Sequence, residues 1–196
     1  MDKLSYAWGL AMGQQLLGMG VKNLHVADYM AAVKAVLEGA EPALPLEEAQ
    51  TLINEYLQNL EAEATKAAKE AGEKFLADNK TREGVKVTAS GLQYVVEKEG
   101  EGAQPPAEDE VTVHYTGRLL NGQVFDSSVQ RGEPATFPLN RVIPGWTEGV
   151  QLMKEGAKYT FFIPSDLAYG PQGIPNAIPP HSTLIFEVEL IKVIKK

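Results

Sequence analysis

The chain has 196 residues, 44% of them apolar and 22% charged, a balance that fits an ordinary globular protein of one or two domains. Its formal net charge of −8 argues against a general nucleic-acid binder and against an anionic membrane surface as partner. With no cysteine, disulfides, thiolate catalysis and zinc–thiolate sites are all excluded. The N-terminus, Met1-Asp2-Lys3-Leu4, lacks the basic start and apolar run of a signal peptide, and no stretch of about 18 apolar residues occurs. Taken as a complete chain it is expected in the cytoplasm. A leader removed from its front would place it in the periplasm or anchored at an outer membrane.

The first predicted helix, Leu4 to Met19, is apolar nearly all round and carries Gly9 and Gly13 four residues apart. Glycines at that spacing cost helix stability but leave a groove where another helix can approach closely, either within a small bundle or, as the small size of this half favours, at a subunit interface. A second helix is expected from Val26 to Glu38, with Val26, Met30, Val33 and Leu37 on one face and Gly39 ending it. Pro45 can open a third, with Glu47 and Glu48 near the positive end of its dipole and a stripe of Leu46, Ala49, Leu52, Ile53, Tyr56, Leu57 and Leu60. Beyond Leu60 the stripe thins to Ala64, Ala67, Ala68 and Ala71 among paired Glu and Lys, the pattern of a solvated stalk. If the helix reaches Asn79 it is roughly 50 Å long at about 1.5 Å per residue. Gly72 is a weak point in it and Gly84 a better end. Residues 1–83 therefore form an all-α arm and residues 84–196 a second domain.

From Leu92 onward the rhythm changes to period two, in Leu92–Val96, Val111–Tyr115, Tyr159–Ile163 and Leu184–Ile191. Turn chemistry separates these stretches, and Asn121-Gly122 is a strong hairpin signal. One short helical pattern, Gly145 to Met153, lies between strands. The second half is thus expected to be an antiparallel sheet wrapped over one helix, which makes the fold class α+β.

No nucleophile motif and no phosphate-cradling glycine loop is present, and His25, His114 and His181 have no ligand spacing between them. His114 and His181 are read as structural, and no metal or cofactor is expected. What stands out is the apolar content of the turns and strand ends: Tyr115, Phe125, Phe137, Val142-Ile143, Trp146, Tyr169, Ile178 and Phe186. Core packing explains each one singly. It strains for Trp146, which follows Pro144-Gly145 at a helix start, and for Tyr169, which sits in a loop rich in glycine and proline. Several aromatics at loop ends over a sheet are what an apolar ligand cleft requires.

Val113-His114-Tyr115-Thr116-Gly117, Val124-Phe125-Asp126-Ser127-Ser128, Val142-Ile143-Pro144-Gly145-Trp146, Glu148-Gly149, Ala168-Tyr169-Gly170, Ile178-Pro179-Pro180 and Leu184-Ile185-Phe186-Glu187 closely resemble the FKBP family of peptidyl-prolyl isomerases, in order across roughly residues 88–194. Ser5-Tyr6-Ala7-Trp8-Gly9, Phe75-Leu76-Ala77-Asp78-Asn79 and Ser90-Gly91-Leu92-Gln93-Tyr94 resemble the helical domain of its bacterial two-domain members. The resemblance implies a half-barrel catalytic domain and a homodimer joined through residues 1–60. It also implies isomerisation of X–Pro bonds in unfolded or partly folded polypeptides without a cofactor, and macrolides as inhibitors.

Carried over residue by residue, the family's catalytic positions fall on Tyr115, Phe125, Asp126, Ile143, Trp146, Tyr169 and Phe186, and its substrate-binding positions on Arg131, Ala135, Phe137, Val142, Ile174 and Ile178. In that pattern Trp146 is the floor under the proline ring, and the Ile143 N–H and Tyr169 hydroxyl hold substrate carbonyls. Ala135 stands where an aromatic is common and Ile174 where a histidine is common, so both are expected to alter the cleft rim. Asp126 has two readings, an ion pair with Arg131 or hydrogen bond to Tyr115 that shapes the cleft, and an electrostatic contact to the twisting carbonyl carbon. A holdase chaperone or peptide-binding module with little turnover is the alternative function.

Overall fold

Asp2 stands before the first helix and its carboxylate accepts a hydrogen bond from the Ser5 N–H at 2.8 Å, satisfying one of the donors a helix start leaves open. In the computed structural model, which describes residues 1–195, this helix, α1, spans Lys3–Gly18, and α2 spans Val26–Glu38. Gly39 closes α2 at φ 66°, a left-handed position that glycine takes without steric cost. The third helix, α3, spans Leu46–Asn79, directly after Pro45, and runs through Gly72 without a break. It stops at Asn79; Gly84, at φ 82°, belongs to the turn beyond and is not its cap.

The chain divides into two compact units, Met1–Ala62 and Glu63–Lys196. The division falls inside α3, about twenty residues before the junction expected at 83/84. The reason is contact: the last turns of α3 pack on the sheet. Phe75 meets Phe162 at 5.7 Å between ring centroids, Asn79 Nδ2 donates to Gln93 Oε1 at 2.9 Å, and Gln93 Nε2 donates to the Leu76 carbonyl at 2.8 Å. The stalk is solvated only until this docked end begins.

In the second unit, seven strands form one antiparallel sheet: β1 Lys86–Val87, β2 Gln93–Lys98, β3 Glu110–Leu119, β4 Val124–Ser127, β5 Ala135–Pro138, β6 Lys158–Ile163 and β7 Leu184–Ile194. Their order is β1-β2-β6-β7-β3-β4, with β5 also pairing β3. The expected alternation captured β2, β3, β6 and β7; β1, β4 and β5 are too short to carry a periodic signal. Asn121-Gly122 makes the β3–β4 turn as expected, with Gly122 at φ 87° and the Leu119 N–H donating to the Gln123 carbonyl at 2.9 Å.

One helix, α4 Ser128–Arg131, follows β4, and another, α5 Pro144–Val150, crosses the concave side. Glycines let α5 lie close: a Cβ on Gly145 would stand 2.5 Å from Ile163 Cγ2, and one on Gly149 would stand 2.6 Å from Phe161 Cε1. Between helix and sheet sits the core, with Leu92, Val111, Val113, Leu139, Val150, Met153, Phe161, Ile163, Leu184, Val188 and Leu190 all fully buried.

Candidate active site

Alternation along β3 and β7 sends Val113, Val188 and Leu190 into the core, while Tyr115 and Phe186 reach the open end of the concave face. There they meet Trp146 at the first turn of α5. The Trp146 ring stands nearly perpendicular to Tyr115 (centroids 5.2 Å, 89°) and to Phe186 (5.2 Å, 87°), and Phe137 of β5 tilts against it at 5.4 Å. Phe125 of β4 closes on Phe186 edge-on at 5.4 Å. Edge-to-face contacts of this kind fix ring orientation as well as burying area. Trp146 is only 4% exposed, and its indole N–H has no hydrogen-bond partner among the described residues.

These rings form the floor of a cleft of about 650 Å³, a size ordinary for a small-ligand or peptide side-chain site. Its walls come from the segment before α5, through Val142 and Ile143, and from the loop after β6, through Tyr169, Ile174, Ala177 and Ile178. The structure therefore brings eleven of the thirteen residues singled out in the sequence around one cavity: Tyr115, Phe125, Asp126, Phe137, Val142, Ile143, Trp146, Tyr169, Ile174, Ile178 and Phe186. Ala135 is outside it. That residue pairs with Val113 along β5 and does not line the cleft. Ile174 does form part of the wall and bridges to Ile178.

Arg131 is also not a lining residue; it acts on the cleft through Asp126 and Tyr115. Its guanidinium pairs with the Asp126 carboxylate, donates to the Tyr115 hydroxyl at 3.0 Å and lies over the Tyr115 ring. Tyr115 in turn donates to Asp126 at 2.5 Å. Burial pushes the Asp126 carboxyl up, but the hydrogen bonds from Tyr115 and Arg131 and the arginine charge together outweigh it and hold the group below the usual carboxylate range. Burial, then the hydrogen bond to Asp126, raises the Tyr115 hydroxyl. Burial and the nearby Asp126 charge raise Tyr169 as well. At neutral pH the cleft thus holds one carboxylate and two neutral phenols.

Besides the Trp146 indole N–H, two further donors are left open. The Ile143 N–H, on the residue that caps α5, makes no hydrogen bond among the described residues, although its carbonyl accepts from Trp146 and Thr147. The Tyr169 hydroxyl likewise has no partner among the described residues, and the residue is 37% exposed. His114, read as structural, pairs through Nδ1 with Ser128 Oγ at 3.0 Å and is not a lining residue. Sequence reading missed Arg141 and Ala177. Each immediately precedes a residue already assigned to the cleft, and that adjacency was the available signal.

An antiparallel half-barrel over one short helix, with an aromatic cleft at its open end, is the architecture of an FKBP-type isomerase domain. The model of the FKBP-type peptidyl-prolyl cis-trans isomerase matches residues 101–191, and that of the domain amino terminal to it matches residues 1–96. A probable FKBP-type peptidyl-prolyl cis-trans isomerase FkpA of Neisseria meningitidis is 48% identical, over 98% of this chain and 74% of its own length. The FKBP-type 22 kDa peptidyl-prolyl cis-trans isomerase of Escherichia coli is 46% identical, over 97% and 94%. The crystal structure of FkpA from Escherichia coli superimposes with a TM-score of 0.78 at 34% identity, covering 99% of this chain and 96% of that one. The chain belongs to the FKBP-type peptidyl-prolyl cis–trans isomerases, and carries that family's N-terminal helical domain as well as its catalytic one. It is an isomerase of X–Pro bonds in proline-containing polypeptides. No described helix is long and apolar enough to cross a membrane.

Proposed function

We propose that X–Pro rotation takes place in the cleft over Trp146, with the proline ring on the indole and substrate carbonyls held by the Ile143 N–H and the Tyr169 hydroxyl. The observation that carries this reading is a pair of unpartnered donors, the Ile143 N–H and the Tyr169 hydroxyl, on residues that line a mainly aromatic and aliphatic cavity. Amide resonance sets a barrier of about 18–20 kcal/mol to rotation of a peptide bond. The twisted transition state has lost that resonance, so its carbonyl oxygen carries less negative charge and is less strongly hydrated than the planar amide. Moving the bond from water to an apolar floor therefore disfavours the planar form more than the twisted one. Each ~1.4 kcal/mol of this difference is worth about tenfold in rate. No nucleophile is required.

Asp126 serves this cleft by holding Tyr115 and Arg131. Both of its oxygens are engaged, one by each partner, and this supports the shaping role over direct contact with substrate. Acceleration of cis-to-trans exchange in a short Leu-Pro-Phe peptide, followed by NMR, tests the whole assignment. The intact chain accelerates exchange, and the Tyr169→Phe, Asp126→Leu double variant loses most of that acceleration while staying folded. An unimpaired double variant would move the chemistry elsewhere.

The first unit is proposed to join two copies of the chain. No residue in α1 or α2 is buried within the chain, and Leu4, Trp8 and Leu17 of α1 are 69%, 63% and 72% exposed. Gly9 and Gly13 line an open groove of about 600 Å³ with Leu10, Leu16 and Leu17, and a methyl at either glycine would meet nothing within 4 Å. Nothing inside one chain requires glycine at those places, whereas a close-packed helix from a second copy would. Sedimentation at micromolar concentration should give twice the chain mass, and a monomer mass would remove the reading.

A further inference from the structure

Gly72 is the sequence's least explained residue: a glycine in the middle of a long helix costs stability relative to alanine and needs a reason. The structure supplies one. Gly72 is buried where α3 reaches Thr183, itself buried at the entrance to β7. A Cβ built on Gly72 would overlap the Thr183 hydroxyl and stand 3.3 Å from Thr183 Cβ. Toward the N-terminal side, Ala67, Ala68 and Ala71 leave an apolar groove against Leu119, Leu120 and Pro179, so it is at Gly72 that the helix closes on this loop.

Thr183 ends the loop that begins at Tyr169 and forms one wall of the cleft. That loop is tied to itself throughout. The Gly173 N–H donates to the Tyr169 carbonyl at 3.2 Å, Ile174 and Ile178 exchange backbone hydrogen bonds at 2.8 and 2.9 Å, and the His181 N–H donates to the Gly170 carbonyl at 2.9 Å. Ser182 Oγ donates to the Pro179 carbonyl at 2.7 Å. A segment cross-linked in this way shifts as a piece when one end is displaced, because bending it would break several of these bonds at once.

We propose that Gly72 is a positioning residue of the isomerase: by letting α3 seat directly on Thr183, it sets where the Tyr169–Ser182 loop stands and hence the distance of Tyr169 and Ile178 from the Trp146 floor. This rests on the reading that the cleft is the catalytic site. Phe75 on Phe162 and Asn79 on Gln93 hold the helix at two further points along the adjacent strands β6 and β2, so a bulkier residue 72 cannot be relieved by sliding α3 without breaking those contacts.

The test is kinetic and uses the full chain. In Gly72→Ala, kcat/KM toward the Leu-Pro-Phe peptide falls by at least about threefold, in line with the sensitivity of rate to sub-ångström displacement of site groups. Amide NMR shifts of Tyr169, Ile178 and their neighbours move with it. Adding Thr183→Ala removes the obstructing hydroxyl and restores both. A purely local role predicts the reverse, since alanine is the better helix former and would stabilise α3 with activity unchanged. Should Gly72→Ala fail to fold, Thr183→Ala alone takes its place: it empties the seat without adding bulk, and unchanged loop shifts with unchanged kcat/KM would overturn the proposal. Tyr169→Phe separates the two readings. If it slows catalysis while both seat variants leave it untouched, the cleft stands and the positioning role falls; if it has no effect, the cleft assignment falls first.

Discussion

The two units of this chain are built on opposite principles. Residues 63–196 bury a continuous core, from Leu92 through Phe161 to Val193, under one twisted sheet. Residues 1–62 contain three helical segments and not one buried residue. The difference lies in where each finds a partner for its apolar surface. An inner strand such as β6 or β7 has neighbours on both edges and packs into the core, whereas α1 has an apolar surface on nearly all sides and no residue buried within its own chain. Helices of that kind gain most of their stability from packing, so on the proposed pairing of two copies the first unit's order would be tied to association, whereas the second unit carries its own core.

The sharpest way to break this contrast is a pair of truncations. Phe161→Ala, at a fully buried position, should cost about 3–5 kcal/mol in urea unfolding of the second unit. Leu17→Ala in α1 should leave that transition within about 0.5 kcal/mol, and show its effect instead as a lowered mass in sedimentation at the same concentration. Equal effects on the unfolding of the second unit would mean the two units share one cooperative transition.

Within the cleft, Asp126→Leu leaves Arg131 and Tyr115 without their acceptor, and kcat/KM should fall about tenfold or more with the fold retained. Circular dichroism beside the exchange assay checks it. Changing pH should do far less over the neutral range. The folded-state pKa of Asp126 is lowered, so its stabilising pairs are fully present above the ordinary carboxylate range and are lost as pH falls through the folded value. Tyr115 and Tyr169 are raised, so their hydroxyls keep their protons past the ordinary tyrosine range near pH 10. Activity should therefore be level between about pH 5 and 9 with respect to these three groups. A midpoint in the middle of that window that Asp126→Asn abolishes would contradict the assignment.

The smallest expected effect concerns Arg141. It lines the exposed rim and, unlike Arg131, has no ion-pair partner among the described residues. Peptides with Glu flanking the X–Pro bond should turn over about two- to fivefold faster than their Lys counterparts, the scale of one exposed charge interaction, and Arg141→Gln should flatten the ratio. A ratio that survives the substitution would remove Arg141 as its source, and the chain's net charge of −8, which favours Lys peptides over Glu ones, could not replace it.

Much of this was legible beforehand for a physical reason. Helix and strand periods are local, so α1, α2 and the four long strands could be read within a residue or two at most ends, and Gly39 and Asn121-Gly122 marked their turns by backbone chemistry alone. The cleft's rings were found because aromatics in loops rich in glycine and proline are costly to bury without a use. The family's residue pattern then ordered them.

What the sequence by itself determined is which segments are helical or extended and which side chains are rich enough in apolar area to form a site. Tertiary structure alone decided the rest. It moved the domain boundary into α3, because Phe75, Leu76 and Asn79 meet strands that begin more than a dozen residues later in the chain. It put Ala135 outside the cleft and Arg141 inside, since which residues of neighbouring strands and turns face one cavity depends on pairing register and sheet curvature. It also turned Gly72 from a flaw in a helix into a point of contact with Thr183, 111 positions away along the chain. Local periodicity carries no information about such partners, and only the closed chain brings them together.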